Sequence, residues 1–209
     1  MRLRASSIAI ERGGHRLFAD LSFDVAAGQA LIVTGPNGSG KSSLLRAIAG
    51  LLALAAGRIA LEGGAADASV GEQAHYFGHL DALRGALTAA ENLSFWAASL
   101  AGPPSGAALS VAAALERVGL AHVADLPAHV LSAGQKRRVA LARHLCAARP
   151  LWLLDEPLSA LDAGAQTRLS EIMRDHLGSG GLIVAATHAP LGLDGAYAIQ
   201  LDASALAAA

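Results

Sequence analysis

The sequence predicts an α/β fold: a buried parallel sheet flanked by helices, an antiparallel β-layer ahead of it, and a helical sub-lobe inserted into it. Three observations predict this. The runs Ala30-Leu31-Ile32-Val33-Thr34 and Leu182-Ile183-Val184-Ala185-Ala186-Thr187 are apolar and rich in β-branched residues, the pattern of strands buried on both faces. The first run leads directly into Gly35-Pro36-Asn37-Gly38-Ser39-Gly40-Lys41-Ser42, which fits G-x-x-x-x-G-K-[ST]. Apolar residues then recur at helical spacing (Leu44, Leu45, Ile48, Ala49, Leu52), so the loop opens a helix.

Taken in order, residues 2 to 32 alternate apolar and polar positions over short runs. Ile8-Ala9-Ile10, Leu17-Phe18 and Leu21-Ser22-Phe23-Asp24-Val25 are separated by Gly13-Gly14 and Ala27-Gly28, which predicts an antiparallel layer. The loop at Gly35 follows. Its glycines let backbone N–H groups converge on anionic oxygens, and the helix start adds unpaired donors and partial positive charge. Lys41 can reach β- and γ-phosphates while the Ser42 hydroxyl ligates Mg²⁺. Gly35, Pro36, Asn37, Gly38, Ser39, Gly40, Lys41, Ser42 and Ser43 are therefore the candidate nucleotide contacts. Strand, loop and helix together predict a P-loop core that binds a nucleoside triphosphate with Mg²⁺.

Arg58-Ile59-Ala60-Leu61 reads as another strand, ended by Gly63-Gly64. Ala74-His75-Tyr76-Phe77-Gly78-His79 reads as a core strand running into a loop. Helical periodicity spans Thr88 to Leu100 and Val111 to Val118, with Gly102-Pro103-Pro104-Ser105-Gly106 as the connector. About residues 81 to 135 form the expected sub-lobe, within one domain spanning 1 to 209. A basic helix begins at Lys136-Arg137-Arg138. After Pro150, Leu151-Trp152-Leu153-Leu154 forms a buried strand ending in Asp155-Glu156. A carboxylate at that end emerges where ligands bind in an open α/β sheet, so Asp155 is a candidate Mg²⁺ ligand. Glu156 stands where a carboxylate orients the attacking water. A helix follows from about Ala163 to Leu177, then the strand ending at His188, and residues 203 to 209 read as a frayed tail.

Composition bounds the rest. Lys plus Arg number 16 and Asp plus Glu 17, so the net charge of −1 offers no basic stripe for nucleic acid. One cysteine, Cys146, leaves no internal disulfide to form and reads as a packed side chain. The hydrophobic fraction is 53%, yet the longest uncharged stretch, Asn92 to Leu115, is broken by its prolines and glycines. The charged N-terminal residues give no signal-peptide pattern. The chain is not expected to cross a membrane by itself.

Leu131-Ser132-Ala133-Gly134-Gln135 resembles the LSGGQ signature of ATP-binding-cassette (ABC) ATPases, with alanine for one glycine and about twenty residues before Asp155. Ser159-Ala160-Leu161-Asp162 is similar to that family's D-loop, and Thr187-His188 to its switch histidine. With the phosphate loop and Asp155-Glu156, the resemblance covers essentially the whole chain. It implies a head-to-tail homodimer in which Ser132, Gly134 and Gln135 of one copy serve ATP held by Lys41 of the other. Asp162 would lie at the same seam. The resemblance also implies that Glu156, His188 and Lys41 carry hydrolysis, with His188 touching the γ-phosphate.

Two positions depart from the family pattern. Where relatives stack an aromatic on adenine, this chain has Arg12, which reads either as a stacking guanidinium or as a solvated strand-end arginine. Where relatives carry glutamine between Mg²⁺ and the membrane partner, this chain has His79, whose imidazole can bridge to water or metal. Tyr76-Phe77-Gly78-His79, Leu151-Trp152-Leu153-Leu154-Asp155-Glu156-Pro157 and Thr187-His188-Ala189-Pro190-Leu191 resemble the ATP-binding subunits of cytochrome c maturation (haem export) systems. That resemblance implies a subunit on the cytoplasmic face of the bacterial inner membrane, paired with an integral membrane permease. Its ATPase activity would drive haem delivery or the release of haem-loaded chaperone. An exporter ATPase for another small substrate would share every nucleotide motif, with only the His79 region and the partner to distinguish it.

Overall fold

The structure, a computed structural model, describes residues 1–100 and 108–202. The expected Pro103-Pro104 connector and the tail from Ala203 lie outside the described residues. The chain divides into two compact units. One is drawn from Met1–Gly78, Pro150–Pro157 and the chain from Met173; the other from His79–Arg149 and Leu158–Ile172.

The first unit holds two sheets. In the smaller, β1 (Arg2–Arg12) lies between β2 (His15–Ala26) and β4 (Ala56–Glu62), all antiparallel. The short runs expected from the sequence are parts of two long strands. Register shifts after Ala5 and after Ile8 let β1 pass through Ser7, whose φ is 45°, without ending. The larger sheet is parallel, in the order β5 (Ala74–Phe77), β6 (Leu151–Asp155), β7 (Leu182–Ala186), β3 (Ala30–Thr34) and β8 (Tyr197–Gln200). Every residue of β6 and β7 is buried, as strands in the middle of a covered parallel sheet must be. The edge strand β8 has no counterpart in the sequence reading: four residues of alternating exposure are too short to announce themselves.

Helix α1 (Lys41–Ile48) packs on β6 and β7. Leu44, Leu45 and Ile48 are fully or almost fully buried and join Leu3, Ile8, Ile10, Phe23 and Val25 of the small sheet and Leu31, Val33, Leu153 and Val184 of the large one in a single core. Burial of side chains of this size contributes roughly 1.5–3 kcal/mol each, which fixes the helix carrying Lys41 and Ser42 to the sheet.

The second unit contains α2 (Ala89–Ser99), α3 (Val111–Arg117), α4 (Ala133–Cys146) and α5 (Ala163–Gly178) as far as Ile172. Thr88 caps α2 in a full capping box: its hydroxyl accepts from Glu91 N–H and Glu91 returns to the Thr88 N–H. Asn92 stitches the preceding loop by hydrogen bonds to Arg84, Leu87 and Thr88. Below them, Arg143 of α4 lies 4.8 Å over the Trp96 ring. Among the described residues no helix is long and apolar enough to cross a membrane.

Candidate functional site

Strand order makes the site. Because β7 lies between β6 and β3, three carboxyl ends are neighbours: Thr34 leading to Gly35, Asp155 leading to Glu156, and Ala186 leading to His188. Ala186 stands level with both Val33 and Asp155. Glu156 N–H donates to Ala186 O at 2.8 Å and Thr187 N–H to Val33 O at 3.4 Å, so the three exits are tied together beyond the last strand pair. This is where an open α/β sheet presents its ligand crevice.

The loop from Gly35 to Gly40 is held by backbone geometry that side chains resist. Gly35 has φ 139°, and a Cβ there would collide with the carbonyl oxygen of Leu201 and lie 2.8 Å from Ser39 Oγ. Gly40, at φ 99°, is the residue before α1, and its missing Cβ leaves room for the Phe18 ring at 3.0 Å. Ser39 Oγ is buried without a hydrogen-bond partner in the structure. Lys41 is nearly buried, and its ammonium donates to Gly35 O at 2.6 Å and Pro36 O at 3.0 Å. The loop thus wraps around a cation whose charge points into it. Ser42 and Ser43 follow in the first turn of α1.

Asp155 is 1% exposed at the end of β6, while Glu156 is half-buried with φ 46°, a left-handed backbone uncommon for a residue with a side chain. Such strain persists only where the surroundings hold it, and the hydrogen bond to Ala186 O is one of the contacts at this residue. His188 Nε2 lies 4.0 Å from Glu156 Oε1. Thr187, buried, closes a tight turn by donating to Ala189 O and accepting from Ala189 N–H, which leaves His188 exposed beside Glu156. Ser42 and Asp155 offer the hard oxygen donors that Mg²⁺ takes, on elements packed against each other, so the residues present fit that ion.

Two residues outside the phosphate-loop and strand-end motifs adjoin this group. Tyr76 Oη is 3.5 Å from Asp155 Oδ2, and Arg46 Nε is 3.4 Å from Tyr76 Oη. Burial, partly opposed by the hydrogen bond from Arg46, raises the Tyr76 hydroxyl above the ordinary tyrosine pKa, so it stays protonated. The hydrogen bond to Tyr76 raises the Arg46 guanidinium. The only sequence signal was the spacing of Ser42 and Arg46, four apart on one helical face. Arg12 is exposed at the end of β1, opposite His15 across the Gly13-Gly14 turn.

In the second unit, Ser132 caps α4 in another capping box: its hydroxyl accepts from Gln135 N–H, and its own N–H donates to Gln135 Oε1 at 2.8 Å. Gly134 passes so close to Ala160 that a Cβ would lie 3.0 Å from the Ala160 carbonyl oxygen. Asp162 Oδ1 accepts from Ala165 N–H at 2.8 Å, which caps α5. Ser132, Gly134, Gln135 and Asp162 are thus arranged around two helix starts whose donors suit an anion. His79 is exposed.

Residues 18–159 match the model of the ABC transporter family. The chain is 54% identical over 193 residues to the cytochrome c biogenesis ATP-binding export protein CcmA of Rhodopseudomonas palustris (strain BisB5), covering 92% of this chain and 94% of that one. It is 58% identical to the protein of the same name from strain BisB18, with the same coverage. It is 52% identical to that of Brucella abortus (strain 2308), covering 94% of this chain and 89% of the relative. Among solved structures, a putative ABC transporter ATP-binding protein from Pyrococcus furiosus superposes with TM-score 0.80 at 19% identity, over 96% of this chain and 98% of that one. An ATP-binding subunit of an ABC transporter gives 0.83 at 24% identity, over 97% and 87%. These two show the fold. Site geometry, family model and relatives agree: this chain belongs to the ABC transporter family of ATP-hydrolysing subunits, in the branch of the cytochrome c biogenesis ATP-binding export proteins.

Proposed function

We propose that this chain is the ATPase of a membrane export complex in cytochrome c biogenesis, coupling ATP hydrolysis to haem delivery or release of haem-loaded chaperone. The observation that carries the chemistry is the juncture of β3, β6 and β7, which ties Lys41, Asp155, Glu156 and His188 to adjoining strand ends. The naming of relatives more than 50% identical carries the pathway.

In this reading ATP lies on the loop Gly35–Ser43, with the Lys41 ammonium turned from the loop carbonyls to the β- and γ-phosphates. Arg12 stacks on the base. Ser42 and Asp155 hold Mg²⁺, which when bound neutralises the developing phosphate charge. Glu156 orients the attacking water and takes its proton, and its fixed backbone limits where that carboxylate can swing. His188 contacts the γ-phosphate and holds Glu156 in register. Ser132, Gly134 and Gln135 of a second copy close over the same nucleotide, with Asp162 at the seam, so the working species is a homodimer. His79, exposed and next to the parallel sheet in sequence, reports nucleotide state to an integral membrane permease. The chain, one ATPase domain with a helical sub-lobe, sits on the cytoplasmic face of the bacterial inner membrane through that permease.

The test replaces the only copy in the cell by Glu156→Gln and stains covalent c-type haem, with protein level and membrane association measured in the same samples. Loss of stained cytochromes with the subunit present and membrane-bound is the expected result. Unchanged staining, with ATP hydrolysis lost in the purified variant, would refute the cytochrome assignment and leave an exporter of another small substrate. Undiminished hydrolysis by that variant would refute the role of Glu156.

A further inference from the structure

We propose that Tyr76 is a positioning residue: clamped by Arg46, its hydroxyl donates to Asp155 Oδ2 and sets the direction in which Asp155 presents its other oxygen to the nucleotide-bound cation. The inference rests on the reading of Asp155 and Ser42 as Mg²⁺ ligands. It adds residues that belong to none of the nucleotide motifs.

A carboxylate at a strand end rotates freely about its last torsion unless neighbours hold it. Asp155 is almost wholly buried, so those neighbours decide its orientation. Tyr76 of β5 pairs with Leu153, two residues before Asp155 in β6, and side chains two apart share a face of the sheet. The ring therefore leans along that face toward the carboxylate and brings Oη to 3.5 Å from Oδ2. Donor and acceptor inventories fix the polarity of the chain of contacts. Arg46 can only donate and ionised Asp155 can only accept, so the one proton of Tyr76 points at Asp155. Such contacts are commonly long before substrate binds and shorten in the complex.

Arg46 is four residues after Ser42 on the same face of α1. The relay therefore links the helix that offers the Ser42 hydroxyl to the strand that offers the Asp155 carboxylate. Gly78 completes the arrangement. A Cβ there would lie 2.9 Å from Tyr76 Cε1 and 3.1 Å from its hydroxyl, so a side chain would push the ring off its place. Tyr-x-Gly is in this sense one device: the glycine leaves the space in which the tyrosine reaches Asp155.

The experiment titrates Mn²⁺, read by its EPR signal, into the full chain with a slowly hydrolysed ATP analogue. Parent, Tyr76→Phe, Arg46→Gln and the double variant are compared, and metal-free analogue affinity and ligand-free thermal midpoint are measured on each. Loss of a hydrogen bond that orients a metal ligand costs roughly 10-fold in metal affinity. Tyr76→Phe should therefore need roughly 10-fold more Mn²⁺ with metal-free analogue affinity and midpoint unchanged, and Arg46→Gln should add little in the Tyr76→Phe background. Equal Mn²⁺ affinity in parent and Tyr76→Phe would overturn the inference. So would an equal loss of metal-free analogue affinity, which marks a general packing effect. A parent that binds the analogue but takes up no Mn²⁺ would overturn the metal-ligand reading itself and the inference with it.

Discussion

Lowering the pH should weaken this fold through one ring. The His176 imidazole stacks on Trp152, with ring centroids 4.0 Å apart and planes 10° from parallel, and its Nε2 lies 3.3 Å from Leu182 O. Burial lowers its pKa from 6.5 to about 4, although the carbonyls of Leu182 and Pro150 pull the other way. Between those two values the unfolded chain binds a proton that the folded chain refuses, so stability rises with pH across the window. The contribution is complete above the unfolded value and is lost as pH falls toward the folded one. The full shift corresponds to ~3 kcal/mol, of which about 2 kcal/mol falls between roughly pH 7 and pH 5. For a chain of this size that lowers the thermal midpoint by about 4–8 °C. The assay is urea unfolding of the full chain at the two pH values, with His176→Phe as the partner variant. Phenylalanine keeps a flat ring against Trp152 and cannot titrate. The parent should lose about 2 kcal/mol more than the variant over that interval. Equal losses would refute the assignment of the pH dependence to His176.

Two further perturbations probe the nucleotide loop and its rim. Gly35→Ala places a Cβ against the Leu201 carbonyl and Ser39 Oγ at a φ of 139°, so ATP binding should be lost and the thermal midpoint should fall, measured by nucleotide titration and calorimetry. Unaltered binding would mean that the loop relaxes around the methyl group. Arg12→Ala removes the guanidinium proposed to stack on adenine, worth ~1 kcal/mol or roughly fivefold in ATP affinity. An unchanged dissociation constant would return Arg12 to the role of a solvated arginine at a hairpin end.

The comparison of sequence with structure turns on distance along the chain. The loop at Gly35, the buried runs at Leu151 and Leu182, and the helix from Thr88 were legible because each is a local pattern: a fixed spacing, a continuous apolar stretch, a helical periodicity. The β-layer was legible in kind but not in length, since bulges let strands pass through residues that break the alternation. The edge strand β8 was not legible, because pairing with β3 rather than its own composition makes it a strand.

For the candidate site, the sequence by itself determined which chemical groups are present and on which elements: a cation inside a glycine loop, two successive carboxylates after a buried strand, a histidine after another. Those depend on residue type and near-neighbour spacing. Only the tertiary structure decided that β7 lies between β3 and β6, that Ala186 accepts the N–H of a left-handed Glu156, and that Tyr76, contacted by Arg46, reaches Asp155. Strand order is a contest among long-range pairings settled by burial of the whole core, and no local spacing encodes its outcome.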